Sequence, residues 1–183
     1  MRATLYRSLN DKEMARTNYQ LILKLRPDDG EALSQVGFLS WQMNDFEAAA
    51  NAFATHAVDD VDSWLWLQLA NVRLGRALSD YHDGLSSRYW PAHLVRFYRG
   101  ALSETDLLTA ADDAQMGRLP GKIKYAHALC NAHLFAGLWR VVHGDQAGAT
   151  PLLKTAVEKC DGLVAENLAK GELAKMATGE KAP

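Results

Sequence analysis

The amino-acid sequence predicts an all-α protein in which the helices are paired into hairpins. Residues 30–58 carry the first observation, since their apolar side chains recur at helical spacing in two blocks. The second observation is the polar turn between the blocks, Asn44-Asp45. Asn tolerates a left-handed helix end, and Asp caps the start of the next helix. A third observation, the repetition of these features, extends the prediction to most of the chain.

The same residue spacing occurs at three places. A small residue is followed 12 residues later by a second small residue and 16 residues later by a large one, in the sets Ala3/Ala15/Tyr19, Gly37/Ala49/Phe53 and Gly137/Ala149/Leu153. The small residues let paired helices approach closely, and the large side chain fills the gap to the next hairpin. From Ala3 to Gly37 the spacing is 34 residues, the period of the tetratricopeptide repeat (TPR). The expected architecture is a short right-handed α-solenoid of TPR hairpins with non-repeat helices inserted.

The spacing predicts a single TPR-like domain over residues 1–176 and a disordered tail over 177–183. The expected parts are two regular units, a degenerate unit, inserted helices, a last unit and a capping helix, at about 1–29, 30–62, 63–87, 88–116, 122–160 and 162–176. The third unit is degenerate because His82 stands where its second helix needs a small residue.

Local signals refine the second half of the chain. Ser103 and Asp106 resemble a capping box and predict the start of a short helix. A long helix is expected over about 123–143. The following helix is expected to begin late, with Thr150 as its N-cap, because Pro151 would otherwise interrupt it.

The start of the chain predicts a truncated repeat. By the repeat spacing, Met1 lies part-way along the first helix of its unit, so residues 3–6 form only the end of that helix. The apolar face of residues 20–25 would then be exposed, because terminal units normally carry a polar cap. We therefore expect either a missing N-terminal portion or a second subunit that covers this face.

Composition and motif content narrow the function classes. The formal net charge is −2, with no basic stripe of the kind that binds nucleic acid. No run of about 20 apolar residues predicts a membrane-spanning helix. No two of the six histidines stand three or four residues apart, and no nucleophile elbow or phosphate loop is present. The sequence therefore predicts a protein that is not an enzyme and needs no cofactor or metal.

The two cysteines, Cys130 and Cys160, bracket the last predicted hairpin. They are too few for a structural zinc site. We expect two separate buried thiols, with a disulfide as the alternative if the protein meets an oxidising compartment.

The candidate binding site is the groove formed by the first helices of the hairpins. Amides and aromatic rings on such a face suit an extended peptide. The expected groove residues are Glu31, Ser34, Gln35, Phe38, Trp41, Gln42, Gln68 and Asn71. The alternative interpretation is that Phe38 and Trp41 only pack on the neighbouring hairpin.

The corresponding face of the last unit is too apolar to remain in water. It comprises Leu134, Phe135, Leu138, Val141 and Val142. The expected cover is the C-terminal helix, the helices within 91–112, or a second subunit.

The order of motifs resembles the bacterial outer-membrane TPR lipoproteins of the NlpI family. The matching residues are Trp64, Trp66, Leu69, Ala70, Trp90, Phe97, Tyr98, Gly100, Ser103, Glu104, Leu107, Gly144, Asp145 and Ala149. The resemblance covers about residues 5–157, and residues 90–108 are its more specific part because they do not follow the repeat. Family members are lipid-anchored, form dimers, and dock a periplasmic protease and peptidoglycan hydrolases.

Two functional hypotheses follow. The resemblance implies a non-catalytic adaptor on the periplasmic face of the outer membrane, if a lipoprotein signal precedes this sequence. The alternative is a generic cytosolic TPR module that binds a peptide or assembles a larger complex. Both hypotheses expect protein or peptide partners and allow a homodimer.

Overall fold

A computed structural model describes residues 11–57, 60–80, 90–119 and 124–179, apart from the side chain of Pro91. These residues form nine α-helices and no strand, which confirms the all-α prediction for this part of the chain. The helices are α1 (Lys12–Leu25), α2 (Gly30–Gln42), α3 (Phe46–Ala54), α4 (Val61–Arg73), α5 (Trp90–Tyr98), α6 (Glu104–Met116), α7 (Ala128–Val142), α8 (Gln146–Lys159) and α9 (Val164–Thr178).

The described helices belong to two compact units. The first unit contains α1 to α4, and each of these helices packs on the next one along the chain. The second unit contains α5 to α9, which also pack in sequence, and α7 additionally contacts α5 and α9. Helix α7 is therefore the central element of the second unit.

Acidic or hydroxyl side chains cap most of the helix N-termini. In six cases the capping side chain accepts a hydrogen bond from the backbone N–H three residues later; the caps are Asp11, Asp29, Asp45, Asp60, Ser103 and Asp145. Each cap satisfies a backbone donor that the helix leaves unpaired and contributes about 1 kcal/mol. The capping signals read from the sequence at Ser103 and at the Asn44-Asp45 turn are confirmed.

Two turns show why the helices reverse direction where they do. Asn44 has φ 61° and Gly144 has φ 81°, and each immediately precedes an Asp N-cap. A left-handed residue ends one helix and the Asp begins the next, which places two helices side by side after only three residues. The predicted α2–α3 and α7–α8 hairpins are both present.

The small residues allow the close helix contacts that the repeat spacing predicts. A Cβ atom added to Gly37 would lie 2.5 Å from Cζ of Phe53, and one added to Gly137 would lie 2.8 Å from Cδ2 of Leu153. In both hairpins the large residue 16 positions later therefore occupies the space that the glycine leaves. Ala3, the small residue of the first set, lies outside the described residues.

The core of the first unit joins α1, α2 and α3. Ala15 is fully buried and Tyr19 is 4% exposed, as expected for helix-packing positions. On the outer side of α1, Leu21 is 51% and Leu25 is 85% exposed. Ile22 and Leu23 are partly buried against the core.

Three predicted boundaries differ from the structure. Helix α7 begins at Ala128 rather than near 123, because residues 124–127 form coil and a turn. Helix α8 begins at Gln146 rather than after Thr150, so Pro151 lies inside it. Helix α9 continues to Thr178, two residues into the predicted tail.

The prediction of a late start for α8 was wrong because Asp145 is a stronger start signal than Pro151 is a stop signal. Asp145 accepts a hydrogen bond from Gly148 N, and Leu152 and Leu153 anchor the helix in the core. An interior proline costs about 3 kcal/mol, and the cap and the buried leucines offset that cost.

Several predicted features fall outside the described residues. They are the helix end at residues 3–6, the degenerate position His82 and the last residues of the tail. Within the predicted third unit, α4 is present and residues 76–80 are not helical.

Candidate functional site

Five of the predicted groove residues form one row along α2. Their spacing repeats every three or four residues, which places them on a single helix face. Glu31 is exposed, and the rest are partly exposed: Ser34, Gln35, Phe38 and Gln42. This α2 row offers a carboxylate, a hydroxyl, two amides and part of an aromatic ring to a binding partner.

Phe38 joins the α2 row to the core behind it. Its ring lies 5.4 Å from Phe53 and 5.3 Å from Trp66, measured between ring centroids. These contacts fit the alternative interpretation, in which Phe38 packs on its neighbours. The ring is nevertheless partly exposed, so it can pack on the core with one side and meet a partner with the other.

Trp41 lies in the core, and its assignment to the groove was wrong. The side chain is 1% exposed. Its ring meets Phe46 at 5.1 Å and Trp66 at 5.4 Å edge-on, and the guanidinium of Arg73 lies 6.0 Å from its centroid. Trp41 stands between Phe38 and Gln42 in the sequence, but its ring lies on the side of α2 that faces α3 and α4. It therefore stiffens the first unit rather than touching a ligand.

Gln68 of α4 is also a core residue, so its assignment to the groove was wrong as well. Its side chain has no exposed surface. Its amide nitrogen donates to the carbonyl of Trp64 and to Oγ of Ser79, at 3.2 and 2.6 Å, and its amide oxygen accepts from Ser79 N at 2.7 Å. The amide holds residues 76–80 against α4, which the sequence pattern did not reveal. Asn71 is 8% exposed, so it offers little surface to a partner.

The apolar face of the last unit is covered by its own unit. Leu134, Phe135, Leu138 and Val141 are at most 7% exposed, and only Val142 is partly exposed. Helices α5, α6 and α9 all pack on α7. The C-terminal helix and the helices within 91–112 therefore both cover this face, as two of the three expectations had it. Four of the five residues are not available as a contact surface.

Tyr98 of α5 holds this helix against α7 through a hydrogen bond and a ring contact. Its hydroxyl donates to the carbonyl of Phe135 at 3.1 Å. Its ring lies 4.3 Å from Trp139, again between centroids. Burial raises the pKa of the Tyr98 phenol well above its ordinary value. The phenol is thus a neutral donor that ties α5 to α7.

Charged residues join the helices of the second unit at the α7–α8 turn. Nε of Arg140 donates to Glu104 at 2.6 Å, and Nη1 of the same side chain pairs with Asp145. The backbone N–H of Gly148, followed by the Arg140 guanidinium, holds the pKa of Asp145 below its usual value. An equivalent pair in the first unit joins Arg16 to Asp45 at 2.7 Å. In both units an arginine on a neighbouring or paired helix therefore holds the N-cap aspartate.

The disulfide corrects the interpretation of the cysteines. Cys130 in the first turn of α7 is bonded to Cys160 at the end of α8, with 5.0 Å between their Cα atoms. The two sulphurs meet because the α7–α8 hairpin brings its open ends together. The sequence alone could not show whether the two cysteines are bonded. It places one near the start and one near the end of the hairpin, but it does not give the register of the two helices.

No three His, Cys, Asp or Glu side chains are grouped as metal ligands within the described ranges. Among the same residues, no helix combines the length and the apolar character needed to cross a bilayer. The chemistry that the α2 row offers is hydrogen bonding, one carboxylate and partial aromatic contact. No model of a known protein family matches the chain.

Proposed function

We propose that this protein is a non-catalytic adaptor that binds other proteins through TPR-type hairpins. The observation that carries the proposal is the recurrence of one packing device. Gly37 with Phe53, and Gly137 with Leu153, bring paired helices together at the same 16-residue offset. This repeated contact supports TPR-type hairpins, in which the first helix can line a binding groove. That helix is α2 in the first unit, because the corresponding face of α7 is covered.

The proposed docking surface is the α2 row. Gln35 and Gln42 offer amide donors and acceptors for the backbone of an extended peptide. The exposed part of Phe38 suits an apolar side chain of that peptide. Glu31, at the N-terminal end of the row, favours a peptide that places a basic residue there.

The core behind the α2 row supports this role. Trp41 of α2 and Trp66 of α4 pack edge-on behind the row, and Phe53 stacks on Trp66 at 5.9 Å. A rigid aromatic layer keeps the row in one conformation before a partner arrives. Preorganisation of this kind lowers the entropic cost of binding.

We propose an envelope adaptor as the specific form of this function, because residues 90–108 resemble the lipoprotein family. Trp90, Tyr98 and Leu107 within that stretch are at most 3% exposed. The resemblance therefore rests on residues that build the core of the second unit. On this proposal the partners are a periplasmic protease and peptidoglycan hydrolases, and the protein acts as a dimer.

A pair of charge reversals tests the proposal. Glu31 and Glu47 are both exposed glutamates in the first turn of their helices, but only Glu31 lies on the α2 row. Tagged full-length protein carrying Glu31→Lys should lose co-purifying partners at least tenfold by quantitative mass spectrometry. Glu47→Lys breaks an exposed ion pair with Arg76 and should keep them. Equal retention by both variants would reject the α2 row as the docking surface.

A further inference from the structure

The Cys130–Cys160 disulfide links the open end of the α7–α8 hairpin. Cys130 is 1% exposed and Cys160 is not exposed at all. The bond closes a loop with a sequence separation of 30 residues, at the end of the hairpin opposite the Gly144 turn. The turn restrains one end of the α7–α8 pair, and the disulfide restrains the other.

Helix α9 begins directly after this bond. Cys160 is the C-cap of α8, and its carbonyl accepts from the N–H of Leu163 at 2.9 Å. Leu163 is in turn the N-cap of α9, and its side chain makes no capping hydrogen bond. The turn that leads into α9 therefore begins at a residue that the disulfide fixes.

Helix α9 packs on α8 and α7 with two buried apolar residues and several partly buried ones. Its buried residues are Leu168, Ala169 and Glu172, so one of the three carries a carboxylate. The carboxylate is held by Lys175 at 3.1 Å on the same helix. The carboxylate of Glu166 accepts a hydrogen bond from Gly162 N at 2.8 Å at the start of this helix. An isolated helix of 15 residues is nevertheless marginal in water, so α9 needs its tertiary contacts. It depends on α8 and α7, which the disulfide holds together.

We infer that the Cys130–Cys160 bond is a redox-dependent lock on α9. The native packing of α7, α8 and α9 belongs to an oxidising compartment, and reduction releases α9 while the first unit keeps its fold. Disulfides persist in extracellular and periplasmic compartments and are kept reduced in the cytosol. The inference does not depend on the α2 row, but it separates the envelope adaptor from the cytosolic module.

Formation of the bond requires a disulfide donor, such as an oxidised thiol oxidoreductase. One cysteine thiolate attacks the donor disulfide and forms a mixed disulfide, with release of one donor thiol. The second cysteine thiolate then attacks the protein sulphur of that mixed disulfide and releases the other donor thiol. The protein loses two electrons and two protons, and the donor gains them.

Burial of both sulphurs makes the lock slow to open. A reducing thiol can reach them only when the end of the hairpin opens, so reduction follows local unfolding. We expect dithiothreitol to reduce the folded protein at least tenfold more slowly than the protein in denaturant. Equal rates would contradict the buried position of the bond.

The test is thiol trapping combined with hydrogen exchange on the full-length protein. Source cells quenched in acid and alkylated with N-ethylmaleimide should yield protein without adducts, and two adducts per chain would overturn the inference. After reduction and alkylation of purified protein, amides of residues 164–178 should exchange at least tenfold faster, while those of α2 to α4 stay unchanged.

The double variant Cys130→Ala/Cys160→Ala should show the same exchange pattern without any reductant. Its melting temperature should lie about 10 °C below that of the oxidised wild type, because the cross-link no longer restricts the unfolded chain. If this variant does not fold, the trapping and reduction-rate measurements on the wild type still test the inference. Unchanged protection of α9 after reduction would reject the lock even where the disulfide is present, and neither result depends on partner binding.

Discussion

Gly37 lies directly against the ring of Phe53, and a Cβ atom on Gly37 would lie 2.5 Å from Cζ of that ring. The ring has little freedom to move away, because Phe38 lies 5.4 Å from it and Trp66 stacks on it at 5.9 Å. The two helices can therefore approach each other here only because α2 has a glycine, with no side chain, at this position. The same relationship holds between Gly137 and Leu153 in the second unit.

Replacing Gly37 by alanine should destabilise the protein. The added methyl group forces the Phe53 ring to shift, and overpacking of this kind costs about 1–3 kcal/mol. Because the ring has little freedom to move, the cost should lie in the upper part of that range, about 2–3 kcal/mol. The better helix propensity of alanine returns up to about 1 kcal/mol, so we expect a net loss of about 1–2 kcal/mol in urea-induced unfolding.

Two other glycines serve as controls for that prediction. Gly171→Ala lies within α9, where a Cβ meets no atom within 4 Å, and should be neutral or stabilising by up to about 1 kcal/mol. Gly137→Ala should cost less than Gly37→Ala, because its Cβ would lie 2.8 Å from Leu153 Cδ2 rather than 2.5 Å from a ring carbon. If all three substitutions stabilise the protein equally, the close contact at Gly37 is absent.

Removing the hydroxyl of Tyr98 should weaken the second unit. Tyr98→Phe loses the hydrogen bond to the carbonyl of Phe135 but keeps the ring contact with Trp139. We expect a loss of about 1 kcal/mol in the free energy of unfolding at pH 7. An unchanged unfolding midpoint would show that this contact does not hold α5 to α7.

The same substitution should alter the response to alkaline pH. Burial raises the pKa of Tyr98 in the folded protein above its value in the unfolded chain, near 10. The stability from the neutral phenol is complete below pH 10 and is lost as pH rises above it, because the unfolded chain then releases the proton first. Between pH 10 and 11, wild-type stability should fall more steeply than that of Tyr98→Phe, by up to about 1.4 kcal/mol per pH unit. Parallel pH profiles would contradict a buried phenol.

A series at Asp45 separates its cap from its ion pair. Asp45 accepts a hydrogen bond from Ala48 N and pairs with Arg16 at 2.7 Å. Asp45→Asn keeps a good N-cap and loses only the charge pair, so we expect a loss of at most about 1 kcal/mol. Asp45→Ala loses both contacts and should cost about 1–2 kcal/mol by thermal unfolding. Equal losses for both variants would assign the whole effect to the ion pair.

The sequence predicted those parts of the fold that depend on local signals. Asn44-Asp45 and Gly144-Asp145 combine a left-handed residue with an N-cap, and Gly37 and Gly137 stand at a fixed offset from their large partners, so the hairpins could be read directly.

The candidate site was harder to predict, because helical periodicity tells which residues share a face but not which face is covered. Trp41 and Gln68 were assigned to the groove, although both point into the core. Ser79, which holds Gln68, lies on a non-helical segment where no periodicity applies.

The central claim is that the α2 row binds a partner, and site-specific photo-crosslinking tests it most directly. A benzophenone amino acid would be placed at Gln35 on the row and, as a control, at Asn51 on an exposed position of α3. After irradiation of the full-length protein in its source cells, we predict discrete adducts to a second polypeptide at position 35 and none at position 51. Adducts at position 51 alone, or equal adducts at both positions, would contradict the claim.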